Sequence, residues 1–170
     1  MIRRAKTLVP RSALKLIYNS IVAPNFNYCD IIWGNCTKTD SIRLQRMQAR
    51  AARYICNVPW DSPSAEVLNE LNWLSLYEIR NIHLAEFMFK VTNDLLPDNV
   101  CKLFEKKEYN YNLRRNPNNV DVPFPSNNFK KRSLSYRGAQ LWNNLSAVAQ
   151  SAAKLTAFKR LLSGCDLNLS

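Results

Sequence analysis

Glycine is scarce in this chain, and its scarcity limits the possible folds and sites more than any other sequence feature. The 170 residues contain three glycines and eight prolines. A β-sandwich or barrel needs a turn signal every few residues, so a turn-rich β fold is disfavoured. Neither GxGxxG nor GxxxxGKS/T occurs in the sequence, which excludes the glycine-rich loops that bind nucleotide phosphates.

Apolar residues recur at helical spacing along most of the chain, which predicts an all-α fold. The first apolar stripe consists of Leu14, Ile17, Tyr18, Ile21 and Val22. Pro24 is expected to end that helix, because proline disfavours the helical conformation of the residue before it. The predicted helices cover about residues 11–23, 40–56, 62–71, 75–93, 97–104, 133–145 and 153–163.

Capping residues mark three of these helix starts. Asp40 is expected to be the N-cap of helix 40–56, and Ser62 that of the next helix. The best-defined start is a capping box of Ser75 and Glu78, in which each side chain accepts a backbone N–H of the other residue.

Residues 105–132 differ in composition from the rest of the chain. They are rich in Asn, Pro, Lys and Arg and poor in apolar residues before residue 120. This composition predicts an extended, partly mobile connector in which residues 120–122 are a candidate short strand. We therefore expect a single helical domain with a long basic Asn/Pro-rich connector, made of a helical region at 1–104, the connector at 105–132 and C-terminal helices at 133–170.

The chain is strongly basic, with 24 Lys and Arg against 13 Asp and Glu and a net charge of +11. Residues 1–60 carry ten basic and two acidic side chains, residues 61–100 two and seven, and residues 101–170 twelve and four. Such a balance favours nucleic acid or another anionic surface as the partner. No stretch approaches the run of about 20 apolar residues that a membrane span needs, so no membrane partner is expected.

Four arginines on the predicted helix 40–56 form a stripe: Arg43, Arg46, Arg50 and Arg53. They lie within about 80° of one another on the helix. Guanidinium groups suit a nucleic-acid backbone, because each can bind a phosphate in a forked geometry and release counterions. The apolar face, rotated by about 100° from the stripe, is expected to be Leu44, Met47, Ala51 and Tyr54. A solvated helix surface and pairing of the arginines with the acidic middle segment remain as alternatives.

A second basic cluster lies further along the chain, at Lys130, Lys131, Arg132 and Arg137. Tyr136 and Trp142 are interleaved with it, and cations with aromatic rings are typical of grooves that bind single-stranded nucleic acid. The alternative is a helix that buries its aromatic residues, and we favour a core position for Trp142.

The sequence shows no recognisable active site. Its one histidine, His83, has no second histidine or suitably spaced carboxylate to form a metal site or a catalytic triad. No two aspartates are adjacent, so a carboxylate set for two magnesium ions cannot be assembled. We expect no catalysis, no metal and no cofactor.

The five cysteines, at positions 29, 36, 56, 101 and 165, are odd in number and irregularly spaced. This pattern argues against a disulfide framework and against a zinc knuckle. We expect reduced, mostly buried thiols in a protein of the nucleus or cytoplasm that is not secreted.

Several segments, in order along the chain, resemble one known family. They are LKLIYNS at residues 14–20 with Pro24, YCDIIWG at 28–34, LQRMQARAAR at 44–53, LNWLSL at 71–76, RGAQLWNNL at 137–145 and the closing Phe158-Lys159 pair. They resemble the region downstream of the polymerase core in non-LTR retrotransposon reverse transcriptases of the jockey-like LINE lineage. Residues 44–53 are similar to that family's Leu-Gln-x-x-Gln-x-x-Ala-x-Arg helix.

The resemblance implies a non-catalytic C-terminal fragment of an RNA-directed DNA polymerase. The family's palm aspartates, its upstream endonuclease and the CCHC zinc knuckle of some members have no counterpart in this sequence. The family implies a ribonucleoprotein setting, RNA and/or DNA as partners through phosphate contacts, and the reverse transcriptase core as a further partner. The expected function is a nucleic-acid-binding accessory domain that supports RNA-templated DNA synthesis by the full-length protein. The alternatives are a helical structural or protein-interaction module and a degenerate fragment without independent function.

Overall fold

The computed structural model describes residues 8–104 and 118–162, and within these ranges the fold is all-α, as the sequence predicts. In chain order the elements are α1 (Arg11–Ile17), a π-helical turn (Tyr18–Val22), α2 (Ala23–Asn27), α3 (Asp30–Trp33), α4 (Lys38–Cys56), α5 (Ser64–Glu70), α6 (Leu76–Thr92), α7 (Asp98–Cys101), α8 (Asn128–Lys131), α9 (Leu134–Asn144), α10 (Ala147–Gln150) and α11 (Leu155–Leu162). No helix in the described part of the chain has the length and apolar content needed to cross a membrane.

The first helix does not end at Pro24, so that prediction is wrong. After α1 the chain enters the π-helical turn, where the N–H of Ala23 donates to the carbonyl of Tyr18, five residues earlier. The wider turn carries the chain through Pro24, which has no N–H to contribute to an ordinary helical bond. The side-chain amide of Asn25 donates to the carbonyl of Ile21 at 2.5 Å.

The capping box at the start of α6 is confirmed, whereas the predicted cap of α4 is wrong. The N–H of Glu78 donates to Ser75 Oγ at 3.2 Å, and the N–H of Ser75 donates to a Glu78 carboxylate oxygen at 2.7 Å. At α4 the N-cap is Thr37, whose Oγ1 accepts the N–H of Asp40 at 3.2 Å. Asp40 therefore lies inside the first turn and accepts the Thr37 hydroxyl at 2.7 Å.

Two short helices differ in extent from their predictions. α5 begins at Ser64, after Pro63 as its N-cap, instead of after Ser62. α7 covers four residues of the predicted 97–104, because the N–H groups of Leu103 and Phe104 bond three residues back, in tight turns that do not continue the α-helix.

The chain folds as two compact units, Met1–Arg80 and Asn81–Ser170. The divisions expected after residues 104 and 132 rest on composition, and they stay predictions. The core of the first unit consists of ten buried side chains: Leu14, Tyr18, Phe26, Ala51, Ala52, Ile55, Val67, Leu68, Leu71 and Leu76. At its edge the Tyr18 ring stacks on Trp73, with 4.0 Å between ring centroids.

In the second unit, a glycine lets α9 approach its neighbours closely. A Cβ atom at Gly138 would lie 2.7 Å from Met88 Sδ and 3.0 Å from Phe104 Cε1. Four residues further along α9, the fully buried Trp142 packs against Phe158, with 6.0 Å between ring centroids.

The described end of the predicted connector is held by side chains of α9. The N–H of Val120 donates to Asn143 Oδ1 at 2.9 Å, and Asn143 Nδ2 donates to the Val120 carbonyl at 2.8 Å. The Trp142 indole N–H donates to the carbonyl of Asn118 at 2.8 Å. Val120 forms only an isolated β-bridge, so the candidate strand at 120–122 is not formed as a strand among the described residues. Residues 105–117 of the connector lie outside the described residues.

Candidate nucleic-acid interface

The predicted arginine stripe lies on α4, the longest helix in the described ranges. Arg43, Arg46 and Arg50 are exposed and Arg53 is partly buried. From Arg43 to Arg53 the stripe extends about 15 Å along the helix axis. The structure therefore brings all four predicted residues to one side of one helix.

The buried face of α4 differs from the predicted one. It consists of Gln48, Ala49, Ala51, Ala52 and Ile55, and it is centred about 170° from the arginine stripe. Of the predicted apolar face, Ala51 is buried, Leu44 and Tyr54 are partly buried, and Met47 is 57% exposed. Small alanines pack on the core side, and the larger apolar residues lie nearer the stripe.

The arginines differ in their partners. Arg43 forms an ion pair with Asp40 on its own helix at 3.4 Å, with both side chains largely exposed. Such a surface pair contributes little to stability. Arg53 Nε donates to the carbonyl of Ser62 at 2.9 Å. Among the described residues, Arg46 and Arg50 make no hydrogen bond or ion pair, so pairing with the acidic segment does not account for the stripe.

A cleft of about 590 Å³ runs beside the stripe. Its lining combines three guanidinium groups, two aromatic rings, one aliphatic side chain and one carboxylate, from Arg46, Arg50, Arg53, Tyr54, Val58, Trp60 and Asp61. One wall is α4 and the other is the loop that follows it. Cations next to aromatic rings in a concave surface are the groups that bind phosphates and bases together.

The loop that forms the second wall is fixed by hydrogen bonds to α4. Asn57 ends the helix in the left-handed conformation, with φ of 58°, and turns the chain back. The N–H of Val58 donates to the carbonyl of Arg53 at 3.2 Å. Since Arg53 Nε also binds the Ser62 carbonyl, the loop is tied to the helix at both of its ends.

Trp60, which is 86% exposed, was not among the predicted site residues. The other three tryptophans are packed: Trp142 is fully buried, Trp73 stacks on Tyr18, and the Arg80 guanidinium lies 4.8 Å from the centre of the Trp33 ring. A tryptophan between a proline and an aspartate, just after an arginine-rich helix, was the available signal.

The second basic cluster lies at α8 and the start of α9. The side chain of Asn127 caps α8 by accepting the N–H of Lys130 at 2.8 Å. Lys130, Lys131 and Arg132 are exposed, and Arg137 is partly buried. The cluster is therefore present as a local group in the second unit.

The aromatic residues near this cluster are not those that the sequence suggested. Trp142 is fully buried, which confirms the core position and makes it wrong as a stacking platform. Tyr136 is partly buried. Phe129, directly before Lys130, is 84% exposed, and it was not among the predicted aromatic residues.

The His, Cys, Asp and Glu side chains of the described residues do not form a metal site. Within the described ranges no group of three or more His, Cys, Asp or Glu residues could hold a metal ion. Cys29 is exposed, and Cys36, Cys56 and Cys101 are partly buried and free, so the expectation of mostly buried thiols is wrong. Burial raises the pKa of the Cys56 thiol, although the nearby Arg11 guanidinium lowers it in part.

No protein-family model, curated protein or solved structure matches this chain.

Proposed function

We propose that this chain binds RNA or DNA without strong sequence preference, through contacts between the arginine stripe of α4 and backbone phosphates. The observation that carries the proposal is the cleft beside Arg46 and Arg50, two exposed guanidinium groups with no partner among the described residues. A charged group that is already paired and desolvated inside the protein binds a ligand poorly. Arg46 and Arg50 are exposed and have no such partner among the described residues.

The segment resemblance supports a more specific setting. In this proposal the chain is the non-catalytic C-terminal part of a non-LTR retrotransposon reverse transcriptase and acts as its nucleic-acid-binding accessory domain. Template RNA or target DNA is then held next to a polymerase core that belongs to the full-length protein. Polymerisation would be absent from the isolated chain, since its sequence contains no adjacent aspartate pair.

The proposal is tested by the salt dependence of binding. The change is the quadruple variant R43Q/R46Q/R50Q/R53Q, which removes four charges at nearly unchanged helix propensity. Each phosphate contact contributes about −0.7 to −0.9 to the slope of log affinity against log salt. We expect the slope to flatten by up to about 3 units. The measurement is fluorescence anisotropy of a labelled single-stranded RNA over a series of potassium chloride concentrations.

The matched control removes four charges elsewhere. K38Q/K90Q/K102Q/K154Q gives the same net charge, and these lysines lie outside both basic clusters. The control should keep the wild-type slope, because it removes the same charge without removing any of the proposed phosphate contacts. An equal loss in both variants would contradict a localised interface. Wild-type protein that does not bind RNA or DNA at low salt would favour the structural or protein-interaction module.

A further inference from the structure

We infer that the cleft selects single-stranded nucleic acid, by stacking one unpaired base on Trp60 while Arg46 and Arg50 bind the adjoining phosphates. The inference rests on the proposed function and specifies the form of nucleic acid that is bound. A single strand exposes the faces of its bases, whereas a duplex buries them in its own stack.

Trp60 is placed in the cleft so that a base can stack on its ring. Its indole is 86% exposed although it lines a concave surface, so its face is open to a ligand. The loop that carries it is tied to Arg53 at both ends. A ring on a fixed loop loses little conformational freedom on binding, which favours a stacking contact.

The charges of the cleft are divided between its two walls, with arginines on the helix and a carboxylate on the loop. The phosphate-binding groups Arg46 and Arg50 are one turn apart on α4, about 6 Å along its axis. Asp61 follows Trp60 and adds a carboxylate to the lining. A carboxylate repels phosphate and accepts hydrogen bonds from the amino groups of bases, so the base is favoured on the loop side of the cleft and the backbone on the helix side.

The volume of the cleft is consistent with this occupant. About 590 Å³ lies within the range of about 300–1,000 Å³ that is typical of small-ligand sites. A volume in this range is sufficient for one nucleoside, whereas the phosphates of a duplex would contact the exposed Arg43, Arg46 and Arg50 without a base entering the cleft.

The experiment compares a mixed-sequence single strand with the blunt duplex that it forms with its complement. We expect W60A to raise the Kd for the single strand about tenfold, which is within the contribution of one stacked base, and to leave the Kd for the duplex unchanged. W60F should retain most of the single-strand affinity, since a phenyl ring also stacks. The matched control is F124A, because Phe124 is 85% exposed and lies outside the cleft; this variant should bind as the wild type does.

A second measurement follows binding on the wild-type protein itself. Wild-type protein labelled with 5-fluorotryptophan contains four fluorinated rings, and W60F assigns the fluorine signal of Trp60. That signal should shift on addition of the single strand and stay in place on addition of the duplex.

The outcomes separate the inference from the proposed function. An equal loss for single strand and duplex in W60A, or an unchanged signal, overturns base stacking on Trp60. If R43Q/R46Q/R50Q/R53Q still flattens the salt slope in that case, phosphate binding by the stripe stands without strand selection. If the wild type binds neither probe, both the proposed function and the inference fail.

Discussion

Gln45 and Gln48, one turn apart on α4, bind the backbone before and at the start of α6. Gln45 Oε1 accepts the N–H of Leu76 at 2.9 Å, and Gln48 Nε2 donates to the carbonyl of Leu74 at 3.0 Å. Gln45 Nε2 donates to Gln48 Oε1 at 2.8 Å, so the two amides orient each other. The glutamine pair therefore connects two helices, and Arg46 and Arg50 of the same helix remain on the surface.

The buried Tyr18, next to Gln48, predicts a pH dependence of the free energy of unfolding. Burial raises the pKa of the Tyr18 phenol above its usual value near 10, and a hydrogen bond from Gln48 lowers it in part. The folded state therefore holds this proton more tightly than the unfolded state does. Its contribution to stability is complete below about pH 10 and is lost as the pH rises through the folded pKa. We expect Y18F to weaken the decline of the unfolding free energy as the pH rises above about 10.

The measurement is urea denaturation at a series of alkaline pH values. Y28F is the matched control, since Tyr28 is 77% exposed, and it should follow the wild-type curve. A Y18F curve parallel to that of the wild type would show that Tyr18 does not contribute to the alkaline loss.

At the scale of elements, the contact of α9 with its neighbours in the second unit depends on Gly138. In G138A the added Cβ would meet Met88 Sδ at 2.7 Å and Phe104 Cε1 at 3.0 Å. Overpacking of this kind costs about 1–3 kcal/mol, and the better helix propensity of alanine returns about 1 kcal/mol. We expect a net loss of up to about 2 kcal/mol in the free energy of unfolding, measured by urea denaturation.

The control is Q140A on the same helix, where Gln140 is partly buried. It should change the free energy of unfolding by less than about 0.5 kcal/mol. Stabilisation by G138A would mean that Met88 and Phe104 move aside at no cost and that close packing does not require the glycine.

The sequence predicts an element well when the residues that form it lie close together along the chain. The start of α6 could be predicted, because Ser75 and Glu78 are three residues apart and bind each other's backbone. The passage through Pro24 could not, since it depends on a change of hydrogen-bond register in the turn before it.

Part of the candidate site could likewise be predicted from the sequence, and part could not. The arginine stripe is a periodic feature of one helix, so spacing alone predicts that its members share a face. The cleft forms only when the loop after α4 folds back, held by the bond from Arg53 to the Ser62 carbonyl. No local pattern specifies that bond, and Trp60 therefore had no predicted role.

At the scale of the whole molecule, the positive charge of the described residues is concentrated at two places that belong to different compact units. The stripe lies within Met1–Arg80, and Lys130 and Lys131 lie within Asn81–Ser170. Both lysines are exposed at the end of α8, next to the exposed Phe129. If both places bind one nucleic acid, each contributes its own counterion release, and these contributions add.

The change that tests this is K130Q/K131Q, alone and combined with R43Q/R46Q/R50Q/R53Q. Because each lysine is expected to bind one phosphate, the double variant should flatten the salt slope by about 1.5 units. The combined variant should show the sum of the two separate effects, because counterions are released at each phosphate wherever it is bound. The measurement is anisotropy with a single-stranded RNA long enough to reach both units.

K102Q/K154Q, which also removes two exposed lysines, should keep the wild-type slope. A slope that K130Q/K131Q leaves unchanged would restrict the interface to α4 and its loop, so that the charge of the second unit would not take part in binding.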